Sequence, residues 1–340
     1  YITQENVAIK DAANITIHIP KYIPANIYKL AVSTSEDILV LLGTDNPNKL
    51  YINRWLFGKT NEKILNSWST FSINSSRSIL NIDFINSDLY LVIRDANNLT
   101  TLERIPFEPD YKEANSTFQY YLDHKLTEAT SGVSVAYNNQ TDTTTWTLPY
   151  RTYANMAVIG RYLAQGETST YVDTQGANQT LKAGQLVTTT TTNTSGAAYS
   201  VNAEGNYTGS KVIIGEPYEM HYRFTRQRLT EKTTTGTGSE YIGGRLQLHH
   251  FYIKYEDTGH FKVEVTPDHK VTSTHKFTGQ LLGTASATLG EINLETGTFR
   301  VPIMSRADSV NIDIKNDTFL PTQLSSAEYE ARFHMRSRRI

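Results

Sequence analysis

Cysteine is absent from the sequence. That single absence excludes a disulfide framework, a thiolate metal centre and a cysteine nucleophile, and it argues against a disulfide-stapled secreted scaffold. An excess of either charge is also missing. Against 34 Asp and Glu stand 32 Lys and Arg, a net charge of −2, which argues against a surface that grips nucleic acid by neutralising phosphates. No apolar run approaches the roughly 18 residues of a membrane-spanning helix, so no membrane-spanning segment is expected, and Tyr1 opens no signal peptide. With 340 residues the chain has length for two or three cores without covalent staples.

What the chain has in plenty is Thr, Asn and aromatic side chains, led by 21 Tyr. Tyr and Thr suit half-buried pleated surface, so the expected class is all-β with long polar loops.

A strand pattern occurs twice near the N-terminus. Ser35-Glu36-Asp37 leads into Ile38-Leu39-Val40-Leu41-Leu42, a turn, and Leu50-Tyr51-Ile52-Asn53-Arg54-Trp55. Ser87-Asp88 leads into Leu89-Tyr90-Leu91-Val92-Ile93, a turn at Asn97-Asn98, and residues 99–104. Asp37 and Asp88 are 51 positions apart, close to the roughly 50-residue period of a propeller blade. A propeller closes with at least about four blades, and only two are visible, so the chain reads as the C-terminal portion of something longer. The apolar runs predict strands buried on both faces, and residues 50–57, of mixed polarity, a strand nearer an edge.

Four regions follow. Residues 1–26, with Pro20 and Pro24 four positions apart, form an extended segment. Residues 27–110 hold the partial β-propeller blades. Residues 111–215 form a β-rich insertion, low in charge and rich in Thr, Asn and Gly. It opens on a short helical stretch at Phe118-Gln119-Tyr120-Tyr121-Leu122, and a hairpin flanks Asn138-Asn139. Its Trp146, Tyr150, Tyr153, Tyr162, Tyr171 and Tyr199 are too many aromatics for a solvated linker.

Residues 216–340 form an antiparallel β-sandwich-like domain. Phe251, Ile253 and Tyr255 share one face, as do Phe261, Val263 and Val265. Pairing Glu256 with His260 around Asp257-Thr258-Gly259 predicts a hairpin with Gly259 at positive φ. Leu246 and Leu248 have the opposite parity to Phe251 and Ile253, which predicts a β-bulge at His249-His250. A second hairpin is expected at Thr296-Gly297. In the last strand Tyr329, Ala331, Phe333 and Met335 face inward, and Glu328, Glu330, Arg332, His334 and Arg336 outward.

Catalytic motifs reduce to structural readings. Asp257-Thr258-Gly259 spells an aspartic-protease tripeptide, but that chemistry needs two such carboxylates sharing a proton, and the turn explains the residues. His249, His250 and His260 have no metal-ligand spacing, and neighbours on a strand point to opposite faces. There is no Gly-x-Ser-x-Gly elbow, HExxH or P-loop. No catalytic residue, cofactor or metal is expected. Two basic clusters stand out instead: Arg223, Arg226 and Arg228, and the terminal Arg336, Arg338 and Arg339. With net charge near zero they are candidate inter-subunit or adaptor contacts rather than a DNA-binding surface.

Several segments together resemble the tail tubular protein B, or nozzle, family of T7-type short-tailed bacteriophages. They include His18-Ile19-Pro20-Lys21-Tyr22-Ile23-Pro24, residues 50–71 with Trp55 and Trp68, residues 79–94 and Leu102-Glu103-Arg104-Ile105. Beyond the insertion come Gly215-Glu216-Pro217-Tyr218-Glu219-Met220, Gly244-Arg245-Leu246-Gln247-Leu248 and residues 299–340, with Pro302-Ile303-Met304-Ser305-Arg306 and the Arg-Ser-Arg-Arg terminus. The resemblance implies a virion protein: a homohexameric nozzle tube at the distal end of the tail, with a β-propeller in each subunit. It also implies attachment to a tail adaptor and tail fibres, and passage of genomic DNA through the lumen without sequence-specific binding. Residues 111–215 match poorly, so no gating residue is carried over. A lumen low in Lys and Arg is expected, because a strongly basic wall would hold moving DNA. The alternatives are a glycan-binding module, with Tyr162 or Tyr171 as stacking platforms, and a glycan hydrolase with paired carboxylates.

Overall fold

The computed structural model describes residues 16, 19, 21–57, 63–108, 111–153, 155–192, 199–232, 238–240, 244–279 and 292–335. Among these residues there is no α-helix, only strands, turns and one 3-10 turn at Ala307–Ser309. The protein is all-β. Most of residues 1–26 lie outside the described residues.

The strand repeat becomes two successive antiparallel meanders. Ile27–Ser33, Ile38–Gly43, Lys49–Phe57 and Lys63–Ser72 form one sheet in chain order, and Arg77–Ile85, Asp88–Asp95 and Thr100–Pro106 a second. The turns match the residues that enter them. Asp37, Asn86 and Asn98 sit at φ 54°, 57° and 64°, a region Asn and Asp tolerate better than most side chains. Ile38, Val40, Leu42, Leu50 and Ile52 of the first sheet share one core with Ile79, Ile82, Leu89, Leu91 and Ile93 of the second. The two equivalent turns touch: Ser87 Oγ donates to Glu36 Oε1 at 2.7 Å. Lys49–Phe57 is an interior strand rather than an edge, since Lys63–Ser72 pairs along its far side.

The Thr-rich middle is folded around its own core of Trp146, Leu148, Tyr150, Met156, Val158, Val201, Val212 and Ile214, among others. Thr189–Thr192, Ser200–Glu204, Thr143–Thr147 and Ser134–Asn138 make one four-stranded sheet; Leu186–Val187, Ala157–Gly160, Val212–Glu216 and Asp123–Thr127 make another. The hairpin around Asn138-Asn139 is present, with Asn138 opposite Thr143. The expected helix at 118–122 is not. Phe118, Tyr120 and Leu122 are buried at alternate positions, a period of two that fits extended chain, and the Tyr121 amide donates to the Phe319 carbonyl at 3.0 Å. The aromatics of this stretch suggest a helical face in sequence, but their alternation is the stronger signal.

In the C-terminal part, Glu295–Arg306, Gly244–Thr258 and Gln323–Met335 form a three-stranded sheet, and Met220–Arg223, Val310–Asn316, His260–Pro267 and Ser273–Thr278 a four-stranded one. Leu248, Phe251, Ile253, Val301 and Ile303 from the first meet Phe261, Val263, Val265, Phe277, Ile312 and Ile314 from the second in one core. The β-bulge is where parity placed it: pairing with both neighbouring strands slips between Leu248 and His250.

Both hairpins are corrected. At 257–259 the chain leaves one sheet and enters the other, so Gly244–Thr258 and His260–Pro267 never pair. Asp257, not Gly259, takes positive φ, at 42°. Alternation had identified the core-facing side chains correctly, but it is satisfied equally by a partner alongside and by a sheet across the core. Thr258, fully buried, pins the crossing: its Oγ1 donates toward the Glu256 and Gln323 carbonyls and accepts from the Gln323 amide at 3.0 Å. Nor does the chain turn at Thr296-Gly297. Glu295–Arg306 runs straight through, and Gly297 lies opposite Tyr255, where a Cβ would meet the phenol oxygen at 3.0 Å.

Candidate functional site

The densest polar arrangement joins the second meander to the middle region. Arg77, first residue of Arg77–Ile85, reaches Glu216, last residue of Val212–Glu216, with Nη1 to Oε2 at 2.9 Å. Both side chains are nearly solvent-free, 4% and 10% exposed. The other guanidinium nitrogen, Nη2, donates to the Arg151 carbonyl at 3.0 Å, and the group lies against the Tyr150 and Tyr153 rings. Planar, permanently charged and rich in donors, arginine can satisfy a carboxylate, a carbonyl and two aromatic faces together.

Around this pair the same joint repeats in weaker form. Tyr153 Oη donates to Asp95 Oδ2 at 3.0 Å and accepts from Asn97 Nδ2 at 3.0 Å, and Asn74 Nδ2 reaches the Tyr153 carbonyl. His124 Nδ1 meets Glu103 Oε1, and the Tyr150 phenol donates to the His124 carbonyl at 2.6 Å. Asp123 precedes His124 in the chain. Burial pushes its carboxyl up to about 6, with Glu103 and Glu216 adding to the rise while His124 and Arg77 oppose it. Burial likewise pushes the Tyr150 phenol well above its usual range. The joint is a clasp between sheets. Its groups bind one another.

The basic residues expected to carry contacts divide. Arg223 forms a two-toothed pair with Asp313, Nε to Oδ1 at 2.7 Å and Nη2 to Oδ2 at 3.1 Å, and His221 Nε2 stands 2.7 Å from the same Oδ1. Burial works to raise the Asp313 carboxyl, but the hydrogen bonds from Arg223 and His221 outweigh it and hold it below its usual value. Arg226 donates to the Asp308 carbonyl and approaches Asp268 at 3.4 Å and Asn311 at 3.5 Å. Arg228 is exposed, and Arg336, Arg338 and Arg339 lie outside the described residues. Arg223 and Arg226 thus tie the chain to itself while leaving 58% and 41% of their side chains in solvent.

Asp257 gives its backbone amide to Thr296 Oγ1 at 3.1 Å and serves the sheet crossing. His250 is bound to Glu330 at 2.8 Å and to Arg300. Among the described residues no three His, Asp or Glu side chains converge as a metal site. A cleft of about 410 Å³ is lined by Tyr171, Tyr207, Gln185, Glu204, Leu181 and Leu186. Tyr171 stacks on Tyr207 with ring centres 4.7 Å apart, and Tyr162 packs edge-on against Phe118. Both tyrosines weighed as sugar platforms are therefore engaged within the chain.

This geometry defines an all-β protein whose charged groups knit sheets together. The family model described as bacteriophage nozzle protein matches residues 1–340, and the chain belongs to that family. It is similar to the tail tubular protein gp12 of Escherichia phage T7, 26% identical over 343 residues, covering 99% of this chain and 40% of that protein. The chain thus spans well under half of the relative's length. A solved structure, the exo-β-1,3-galactanase of Phanerochaete chrysosporium with galactose, aligns with 90% of this chain and 95% of its own at 9% identity and a TM-score of 0.14, and carries no argument.

Proposed function

We propose that this chain is a structural part of the nozzle of a short-tailed phage, located in the virion tail, where copies enclose a passage for genomic DNA. The observation that carries this reading is the family match along the whole chain. The structure is in keeping with it: two blade-like meanders, a middle region and a C-terminal pair of sheets each hold an apolar core, and a buried ion pair joins the second meander to the middle region. The protein works by assembly rather than by catalysis.

In this reading the copies form a homohexamer held to a tail adaptor and flanked by tail fibres, and the meanders are the last blades of a propeller. The part-exposed Arg223 and Arg226, with Arg228, Arg336, Arg338 and Arg339, face neighbouring subunits or the adaptor. A net charge of −2 suits a conduit, because weak phosphate attraction lets DNA slide. The test is a phage unable to make the full-length protein. Its particles are expected to lack the distal tail and to fail in DNA ejection while retaining heads. Complete tails and normal ejection would refute the reading.

A further inference from the structure

The three-stranded C-terminal sheet ends in two unlike edges. One, Glu295–Arg306, is interrupted by Pro302, which has no N–H to offer, and by Met304 at φ 45°. Such devices discourage another strand from adding alongside residues 302–304 and leave the stretch before Pro302 open to one. The other, Gln323–Met335, is a 13-residue strand with no proline, glycine or lysine and no positive φ. No strand lies beyond it among the described residues. All of its residues are exposed except the half-buried Ala331 and Phe333.

We propose that this bare edge is a seam between copies of the chain: residues 326–329, above the slip in pairing at Ser325, add to residues 298–301 of the neighbouring copy. The two outer strands are matched in height through the middle one. Tyr252 is flanked by Arg300 on one side and Glu328 on the other, Lys254 by Thr298 and Ser326, Ile253 by Phe299 and Ala327, Phe251 by Val301 and Tyr329. A side-by-side repeat of the sheet therefore sets Glu328 beside Arg300 of the next copy, Ser326 beside Thr298, and Tyr329 beside Val301. No like charges meet over this stretch.

The acid is available and the apolar groups are uncovered. Glu328 touches Lys254 yet remains 64% exposed, and Leu324 and Tyr329 are 37% and 43% exposed. Both outer strands run antiparallel to the middle one, so the new ladder is parallel. It stops at Pro302, short of the row in which Arg306 and Arg332 both flank Gln247 and two like charges would meet. Because one edge meets a different edge, the contact is heterologous and can close into a ring. The proposal rests on the reading of the protein as a tube of repeated copies.

The test uses phage tails carrying the full-length protein with Ser326→Cys and Thr298→Cys together, oxidised mildly and run without reductant beside wild-type and single-variant tails. The expected result is a ladder of cross-linked multimers up to one closed size in the double variant, lost in both single variants. Two results overturn the proposal and leave the tube reading intact. One is no ladder in tails that hold the usual amount of the protein. The other is cross-linking of Ala331→Cys alone into dimers and no further, the mark of antiparallel self-pairing about a two-fold axis. Normal tails that lack the protein would overturn both. Should the cysteine variants fail to assemble, Glu328→Arg and Arg300→Glu replace them. Assembly lost in each single reversal and restored in the pair supports the seam, and no restoration contradicts it.

Discussion

Arg77–Glu216 and Arg223–Asp313 are both arginine–carboxylate pairs of similar length, 2.9 and 2.7 Å, but they are not equivalent parts of the molecule. At the joint both partners are out of solvent; in the C-terminal sheet only Asp313 is, and the Arg223 side chain is 58% exposed. Coulombic attraction is screened wherever water reaches one end, and leaving a charge unpaired is costly only where water cannot replace the lost partner. The first pair fixes how two regions meet, whereas the second trims the edge of one sheet.

Removing Arg77 is the strongest way to break that comparison. Arg77→Met strands Glu216 in the joint and is expected to cost about 3–5 kcal/mol, as for other broken buried pairs. Chemical denaturation reads this directly, and adding Glu216→Leu should recover most of the loss. An Arg77→Met cost no larger than that of Arg223→Ala would erase the distinction.

Asp123 sharpens the same point through pH. Its folded-state carboxyl is pushed up to about 6 by burial, above the ordinary aspartate value of about 4, so the folded chain holds the proton more tightly than the unfolded one. Its contribution is most favourable below about pH 4, is lost as pH rises toward 6, and leaves a penalty of about 2–3 kcal/mol at neutral pH. Asp123→Asn should stabilise the protein at pH 7 by part of that amount and remove this component of the pH dependence. Identical stability–pH curves for the two proteins between pH 4 and 7 would contradict the assignment.

Arg223→Ala should cost at most about 1 kcal/mol, since His221 stays on Asp313 and water replaces the guanidinium. The Asp313 carboxyl should move upward in an NMR titration of the variant, because the hydrogen bonds that depress it are reduced. The smallest effect is expected for Arg226→Ala, within about 0.5 kcal/mol, as usual for exposed surface substitutions. A thermal melt that shifts more for Arg226→Ala than for Arg223→Ala would reverse the ordering.

Much of the fold was legible where the pattern is local. The runs at 38–42 and 89–93 fall inside strands, and the change of parity at His249-His250 located a bulge. The faces of Phe251, Ile253, Phe261, Val263 and Val265 turned to the core as alternation required. Pairing was less legible. The turn-like residues 257–259 and 296–297 invited hairpins, but one stretch crosses between sheets and the other lies inside a strand. Side-chain parity records burial and is silent about which backbone supplies the hydrogen bonds.

The joint could not be read at all, since Arg77 and Glu216 stand 139 positions apart and no local spacing links them. One clue was present. Glu216 ends the run Val212-Ile213-Ile214-Gly215, and a carboxylate closing so apolar a strand calls for a buried partner. The Arg223 cluster was conspicuous because its members are neighbours in sequence, yet Arg223 and Arg226 are tied to acidic and carbonyl groups of the same chain.

In the proposed reading this chain is a repeated structural unit of a phage tail, its regions held together by clasps like Arg77–Glu216. Electron cryo-microscopy of the tail at side-chain resolution tests it most directly. The expected map shows rotationally related copies around the DNA passage, with Arg77 and Glu216 buried together inside each copy. A map that places this chain away from the channel, or shows the joint open with Arg77 and Glu216 apart, would contradict the account.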